Sequence, residues 1–218
     1  MHSIYRATVK GLGSTLVAFA LLAWSGCDDL FSPVFSGHVL PPPETETRTV
    51  LASSDFEGGI DGWSMPARAN GDEFDWTPNQ GSDETAGLLW KYWNAGTALY
   101  FAAGPEFLGD KSAALHGLLT FDLFSGYSRR AWTPDASQPL VILEGINGLR
   151  IGAGFDPVSK GWRSHAISLD ESGKWMNLSE QRLATEAEIA DVLSNLTDLR
   201  IRGVSTPAVL DNVMLVAP

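Results

Sequence analysis

The side chains that could carry out hydrolysis are few and scattered along the chain. Beyond residue 26 there are three histidines, His38, His116 and His165, and no serine lies in a G-x-S-x-G segment. Nucleophilic hydrolysis needs a serine activated by a histidine that an acid orients, and zinc sites are signalled by H-E-x-x-H or paired C-x-x-C spacings, which are also missing. Two distant carboxylates could form a glycosidase site, but no pair stands out among the 26 acids. We therefore predict no catalytic residues.

Aromatic residues indicate a possible binding function rather than catalysis, because an exposed indole ring can stack on a sugar. The segment GLLWKYWNAG contains Trp90, Tyr92 and Trp93. Alternation along a strand places the first two on one face and Trp93 on the other, so one of these faces is a candidate contact surface. Trp132 lies in a loop, residues 125–139, that Gly, Ser and Pro residues bound. We predict these four residues as ligand contacts, and core packing is the alternative for each.

One carboxylate falls where a strand pattern predicts apolar surroundings. In the last apolar segment, LDNVMLV, simple alternation puts Asp211 on the same face as Val213 and Leu215. Burying an unpaired carboxylate is costly, so Asp211 needs either a cation or hydrogen-bond donors. Hydrogen bonds between a turn and the side chains of Asp211 and Asn212 would satisfy the same need.

The first residues have the zones of a secretory signal, predicted to span residues 1–26. Arg6 and Lys10 precede an apolar run, residues 12–24, which is shorter than the roughly 20 residues of a membrane-spanning helix. The run ends in LLAWSGC, which resembles a bacterial lipobox except at Trp24. We therefore predict that Cys27, the single cysteine, is lipidated and becomes the N-terminus. A stray thiol in an ordinary signal peptide is the alternative.

Residues 27–48 are predicted to form a tether, and residues 49–218 a single domain. The tether contains the proline run at 41–43, which favours extended polyproline geometry. The formal net charge of the chain is −11, and loss of Arg6 and Lys10 with the signal would make it −13. A surface this acidic repels phosphate backbones, so we predict no nucleic acid partner.

The predicted domain reads as all-β with one short helix. Leu119, Phe121 and Leu123 alternate with polar residues, the pattern of a half-buried antiparallel strand. Similar alternation recurs at 149–153 and 199–202, where Arg200 and Arg202 occupy the polar face. Two sheets packed face to face follow from this pattern.

One segment, residues 185–195, has helical spacing instead. Ile189, Val192 and Leu193 recur at intervals of three and four, and Thr185 with Glu188 forms a capping box at the helix start. We expect this helix to cover an end or a face of the core.

Four segments, in order, resemble the laminin IV type A (laminin B) domain family. They are ALYFAAGPEFLGDKSAALHGLLTFDL at 98–123, VILEGINGLRI at 141–151, GWRSHAISLDESGKW at 161–175 and ATEAEIADVLSNLTDLRIRGVSTPAVLDNVMLV at 184–216. Pro105 is one place later than is usual in the family, and the flanking EGF-like cysteines of laminins are absent. The resemblance implies a jelly-roll β-sandwich. It also implies core positions for Trp63, Trp162 and Trp175.

The two ends of the domain resemble jelly-roll carbohydrate-binding modules. SDFEGGIDGW at 54–63 looks like their first strand, and LDNVMLV at 210–216 looks like their last. This resemblance implies that the first and last strands are neighbours and that Glu57 lies close to Asp211. In those modules a similar pair, together with backbone carbonyls, holds a structural calcium ion, which suits oxygen ligands.

These observations favour a non-catalytic binding or adhesion module of the cell envelope or extracellular space, with a glycan or protein ligand. The protein is expected to be exported and held at a periplasmic or surface-exposed membrane face by its lipid anchor alone. A purely structural spacer or assembly domain is the second hypothesis, and a hydrolase is the third. The sequence separates the hydrolase from the other two but does not separate binding from spacing.

Overall fold

A computed structural model describes residues 48–66, 73–91, 99–126, 138–154, 160–203 and 207–218. All of them lie within one compact unit, Thr45–Pro218. The predicted signal peptide, Cys27 and nearly all of the tether lie outside the described residues. So do three predicted ligand contacts: Tyr92, Trp93 and Trp132.

The described residues form twelve strands and one α-helix. In chain order these are β1 (Val50–Ser54), β2 (Glu73–Thr77), β3 (Gly87–Lys91), β4 (Leu99–Ala102), β5 (Leu118–Ser125), β6 (Val141–Gly145), β7 (Arg150–Ala153), β8 (Gly161–Ser168), β9 (Met176–Asn177), β10 (Arg182–Leu183), α1 (Glu186–Ser194), β11 (Leu196–Gly203) and β12 (Ala208–Val216). Short 3-10 turns occur at Pro105–Phe107, Ser112–Ala114 and Glu171–Gly173. Within these ranges, no helix has the length and apolar character needed to span a membrane.

The strands form two six-stranded sheets in which every described pairing is antiparallel. Sheet I has the order β2-β3-β12-β5-β8, and β1 also pairs with β12. Sheet II has the order β10-β9-β7-β6-β11-β4. The predicted sandwich of two antiparallel sheets with one helix is therefore confirmed, as is the predicted adjacency of the first and last strands.

The core lies between the sheets and takes its residues from both. The alternation predicted for β5 is confirmed, because Leu119, Phe121 and Leu123 are each at most 2% exposed. Leu199 and Ile201 of β11, in the other sheet, are fully buried in the same core cluster. Burial of these apolar faces, at about 25 cal/mol per Å², is the main source of stability in a chain of this kind.

Arg202 lies on the predicted polar face of β11 but is buried there. Its side chain is only 1% exposed, and its Nη1 donates a hydrogen bond to the Gln138 carbonyl oxygen. Tyr100 is its cross-strand partner on β4 and donates to the Pro139 carbonyl oxygen at 3.1 Å. A long side chain on the outer side of sheet II is thus covered, which alternation alone does not predict.

The predicted helix and its capping box are confirmed at α1. The Thr185 side chain accepts a hydrogen bond from the Glu188 backbone, and the Glu188 carboxylate accepts one from the Thr185 backbone at 2.8 Å. Arg182 donates to both Glu188 oxygens, at 2.8 and 2.7 Å. These contacts hold the pKa of Glu188 well below its usual range, and the hydrogen bonds from Arg182 contribute most. They join the β9–β10 hairpin to the start of the helix.

Strand β12 changes neighbours halfway along its length. On one side it pairs with β3 through Ala208 and Leu210 and then with β1 from Val213 onward. Asp211 and Asn212 lie at the gap between these two pairings. On the other side, the register with β5 shifts between Asp211 and Met214, and Asn212 has a φ of 49°. An extra residue in a left-handed conformation is the signature of a β-bulge.

The bulge corrects one sequence prediction. Asp211 pairs with Asp122 and Met214 with Thr120, so the alternation reverses between them. Val213 and Leu215 point into the core, whereas Asp211 lies on the outer face of sheet I. The prediction that these three residues share a face was wrong because simple alternation cannot account for an inserted residue.

Candidate functional site

The gap beside β12 brings the two predicted carboxylates to one loop, residues 81–86. Asp211 Oδ2 accepts a hydrogen bond from the Ser82 backbone N–H at 2.8 Å, and its Oδ1 accepts one from the Asn212 backbone N–H at 2.7 Å. Glu57, just after β1, accepts a hydrogen bond from the Ala86 backbone N–H at 3.0 Å. We call Glu57, Asp211 and the 81–86 loop the junction.

Gly81 is required at the junction for steric reasons. Its backbone N–H donates to the Thr85 carbonyl oxygen at 2.7 Å, which closes the loop. A Cβ atom at this position would lie 2.2 Å from the Ala86 carbonyl oxygen and 2.6 Å from Asp211 Oδ2. The loop backbone therefore approaches Asp211 as closely as glycine permits.

Asp211 is fully buried although it lies on the outer face of the sheet, because the 81–86 loop covers it. Burial raises the pKa of the Asp211 carboxyl, and the hydrogen bonds from Ser82 and Asn212 oppose this shift. The buried carboxylate is thus satisfied by backbone donors. This is the arrangement that the sequence analysis gave as the alternative to a cation.

The donor set of the junction is chemically suited to a hard cation. Three oxygen atoms, Asp211 Oδ2, Thr85 Oγ1 and the Ala86 carbonyl oxygen, lie on the same side of Gly81. Calcium takes carboxylate, carbonyl and other oxygen ligands. Across the described ranges, no cluster of three or more His, Cys, Asp or Glu side chains could hold a metal ion. A cation here would therefore depend on two carboxylates with neutral oxygens.

A line of hydrogen bonds leads from the junction across sheet I. Asn212 Nδ2 donates to Ser82 Oγ at 2.8 Å and to Asp122 Oδ2 at 3.0 Å. The other oxygen of Asp122 accepts a hydrogen bond from Ser164 Oγ at 2.6 Å. These side chains come from the 81–86 loop, β12, β5 and β8. They form a polar row on the outer face.

An aromatic pair lies beside this polar row. Phe124 and Trp162 are cross-strand partners on β5 and β8, their ring centroids are 5.6 Å apart and their planes are inclined by 56°. Both are half-buried and lie on the face opposite to the core residue Leu123. We call Asp122, Phe124, Trp162 and Ser164 the contact face, because it combines exposed ring surface with hydrogen-bonding groups.

The structure corrects the prediction for Trp90. Its side chain is only 3% exposed and packs in the core, so its ring face is not available to a ligand. The predicted burial of Trp63 and Trp175 is confirmed, since each is 1% exposed. Trp162 was predicted to be buried with them and is instead half-buried on the outer face.

The two described histidines fit packing and surface positions. His165 of β8 stacks on Phe121 with ring centroids 4.9 Å apart, and burial lowers its pKa. His116 is about half exposed and lies 3.9 Å from Asp170 and 3.7 Å from Glu186. His38 lies outside the described residues.

Sequence reasoning found Glu57 and Asp211 but missed the residues that connect them to the rest of the sheet. Ser82, Thr85 and Gly81 occur in a polar GSDET segment that reads only as a turn. The one available signal was Asn212, because Asn tolerates a left-handed conformation and an Asp-Asn pair inside an apolar strand is unusual.

The two antiparallel sheets, the covered core and the outer contact face define a β-sandwich module of the binding or structural class. Residues 100–217 match the Laminin B (Domain IV) family. This match covers more than half of the chain, and the chain belongs to that family. No curated protein matches the chain in sequence.

Solved structures with a similar fold include a laminin domain and carbohydrate-active proteins. The L4b domain of human laminin alpha-2 is 17% identical, with a TM-score of 0.49, and the match covers 55% of this chain and 70% of that one. An exo-beta-agarase is 16% identical, with a TM-score of 0.46, and the match covers 76% of this chain and 24% of the agarase. The carbohydrate-binding module TmCBM27, described for specific mannan recognition, is 12% identical, with a TM-score of 0.43 and coverage of 78% and 98%.

Proposed function

We propose that this chain is a non-catalytic module of the cell envelope that binds glycans through the contact face. The observation that supports this most directly is the half-buried Phe124–Trp162 pair beside the Asp122–Ser164 hydrogen bond. A sugar ring needs an apolar surface for its C–H groups and hydrogen-bonding partners for its hydroxyls. Aromatic and polar side chains in adjacent rows of one sheet provide both.

The charge of the protein favours an uncharged glycan. The net charge is −11, and the contact face itself contains Asp122. Uronate or sulfate groups would be repelled by this surface. A neutral polysaccharide is therefore the ligand class that fits, and a protein ligand is the other outcome of a binding screen.

Replacing Trp162 by alanine should weaken binding of a neutral oligosaccharide about tenfold. The reason is the loss of a stacking contact, which contributes on the order of 1 kcal/mol beyond area burial. Affinities would be measured by calorimetry, with hits from a neutral glycan array. Leu183→Ala, at a 61% exposed position on sheet II, is the control and should bind as wild type does.

The alternative is a spacer or assembly domain without a ligand of its own. It would be favoured if the folded protein bound neither glycans nor proteins in these screens. Equal affinity of Trp162→Ala and wild type would instead mean that the ligand binds elsewhere on the domain.

We also propose that calcium binds at the junction, through Glu57 and Asp211 with neutral oxygens of the 81–86 loop. Bound calcium would fix the loop and neutralise the buried Asp211 carboxylate. A ligand that binds only the folded state, at one hundred times its dissociation constant, adds about 2.7 kcal/mol of stability. The thermal midpoint should therefore rise with calcium and fall with chelator, and Asp211→Asn should remove this response. An unchanged midpoint in chelator would rule out the metal.

Finally, we propose that the protein is exported and anchored in a bacterial membrane through lipidated Cys27. The support is the order of charged, apolar and small residues that ends in LLAWSGC. Labelled palmitate should be incorporated into wild type and not into Cys27→Ser. Equal labelling of the two proteins would argue against the anchor.

A further inference from the structure

Within the described ranges, the Asn212 side chain hydrogen-bonds to both the junction and the contact face. Its backbone N–H donates to Asp211 Oδ1 at 2.7 Å. Its side-chain amide donates to Ser82 Oγ on the junction side and to Asp122 Oδ2 on the contact face side. An amide NH₂ group has two hydrogens, so these two acceptors use both of them.

The backbone at Asn212 fixes where this amide points. The residue occupies the bulge with a φ of 49°, a conformation that Asn adopts more readily than most residues. The 81–86 loop on one side is held by Asp211, and Asp122 on the other is held by Ser164 Oγ at 2.6 Å. A shift of the loop would therefore move one acceptor of the amide and disturb its bond to the other.

We propose that Asn212 couples the two regions, so that the state of the junction regulates the hydrogen-bonding geometry of the contact face. Asn212 acts as a positioning residue. The 81–86 loop fixes the orientation of the Asn212 amide, and the amide fixes the orientation of the Asp122 carboxylate. Asp122 in turn orients the Ser164 hydroxyl toward or away from a ligand. The inference rests on the proposed glycan function only in the test that measures glycan affinity.

The coupling itself is tested without a ligand by a double-mutant cycle in the full-length chain. Ser82→Ala removes the contact at one end of the line and Ser164→Ala the contact at the other. If the two positions were independent, the change in the unfolding equilibrium constant of the double variant would equal the product of the changes in the two single variants. We expect the measured change to differ from this product by at least about 3-fold. In an Asn212→Gly background the deviation should disappear, because glycine adopts the left-handed backbone readily and removes the side chain that carries the amide.

Ser172 offers a matched control for the cycle. Its hydroxyl donates to Asp170 at 2.5 Å on the exposed turn after β8, the same kind of bond as that between Ser164 and Asp122. Ser82→Ala combined with Ser172→Ala should be multiplicative to within about 2-fold. The proposed coupling is wrong if the effects of Ser82→Ala and Ser164→Ala multiply as closely as those of the control pair. It is also wrong if their deviation from the product persists in the Asn212→Gly background.

A second readout uses a neutral oligosaccharide from the array as the probe. Asn212→Gly should lower its affinity about 3- to 10-fold while the Leu183→Ala control stays at the wild-type value. If wild type binds no glycan, the proposed function fails and the double-mutant cycle still decides the coupling. If wild type binds and Asn212→Gly binds equally well, the contact face does not depend on the junction and the inference is overturned.

Discussion

Replacing Trp63 by alanine should lower the free energy of unfolding by about 3–5 kcal/mol, the range for deletion of a buried tryptophan. Trp63 is 1% exposed, and its ring forms T-shaped contacts with Phe56 and Phe107 at centroid distances of 5.9 and 5.3 Å. Its indole N–H also donates to Ser54 Oγ at 3.0 Å. Alanine would leave both a cavity and a buried hydroxyl without its donor. Urea denaturation followed by circular dichroism measures the loss.

Two variants make this result interpretable. Trp63→Phe keeps most of the ring volume but loses the indole N–H, so it should lie between wild type and alanine. Leu183→Ala, at an exposed position, should change stability by no more than about 0.5 kcal/mol. A loss below about 1 kcal/mol in Trp63→Ala would contradict the placement of this side chain in the core.

Replacing Asp211 by alanine should cost about 3 kcal/mol even in the presence of chelator. The variant leaves the backbone N–H groups of Ser82 and Asn212 without their acceptor, and each buried unsatisfied donor costs about 1–3 kcal/mol. Asp198→Ala, a half-buried position on sheet II, is the matched control and should be milder. Equal stability of Asp211→Ala and wild type would mean that the 81–86 loop is held by other contacts.

The stability of wild type and of Asp211→Asn, measured as a function of pH, tests the direction of the Asp211 pKa shift. Burial raises the pKa of the Asp211 carboxyl in the folded protein. An acid with a higher pKa when folded stabilises the protein most when protonated, and this contribution declines as the pH rises from about 4 through the raised pKa. In chelator, the free energy of unfolding of wild type minus that of Asp211→Asn should therefore fall as the pH increases over this interval. A rise in this signed difference would mean that the folded state favours the charged carboxylate.

The regular parts of the fold were predictable because their signals are local. Alternation identified β5, and helical spacing with the Thr185–Glu188 capping box identified α1 to within a residue at each end. The pairing of the first and last strands was instead predicted from the resemblance of the two ends to jelly-roll carbohydrate-binding modules. Strand β5 and helix α1 depend on side-chain patterns within a single segment, whereas that pairing joins segments far apart in the chain.

The errors arose where tertiary contacts override such patterns. The bulge at Asn212 reversed the face of Asp211, and nothing in the spacing of Val213 and Leu215 reveals it. Trp90 was predicted as a ligand contact from the aromatic cluster and strand alternation, but it packs in the core with Leu88 on the same face of β3. Half-burial of Trp162 follows from its place on β8, a terminal strand in the described order of sheet I, which a sequence does not specify.

The adjacency of β1 and β12 also has a mechanical consequence. The Ala217 backbone N–H donates to the Thr49 carbonyl oxygen at 2.8 Å, and Val50 pairs with Val216, so the two ends of the folded domain leave it side by side. A force that pulls these ends apart acts across the strand pair rather than along it. The backbone hydrogen bonds between β1 and β12 would then be loaded one after another, as in a zipper. Under tension the domain should begin to unfold by separation of β1 from β12 at low force. Loss of β1 would then open one side of the gap beside β12 in which Asp211 lies.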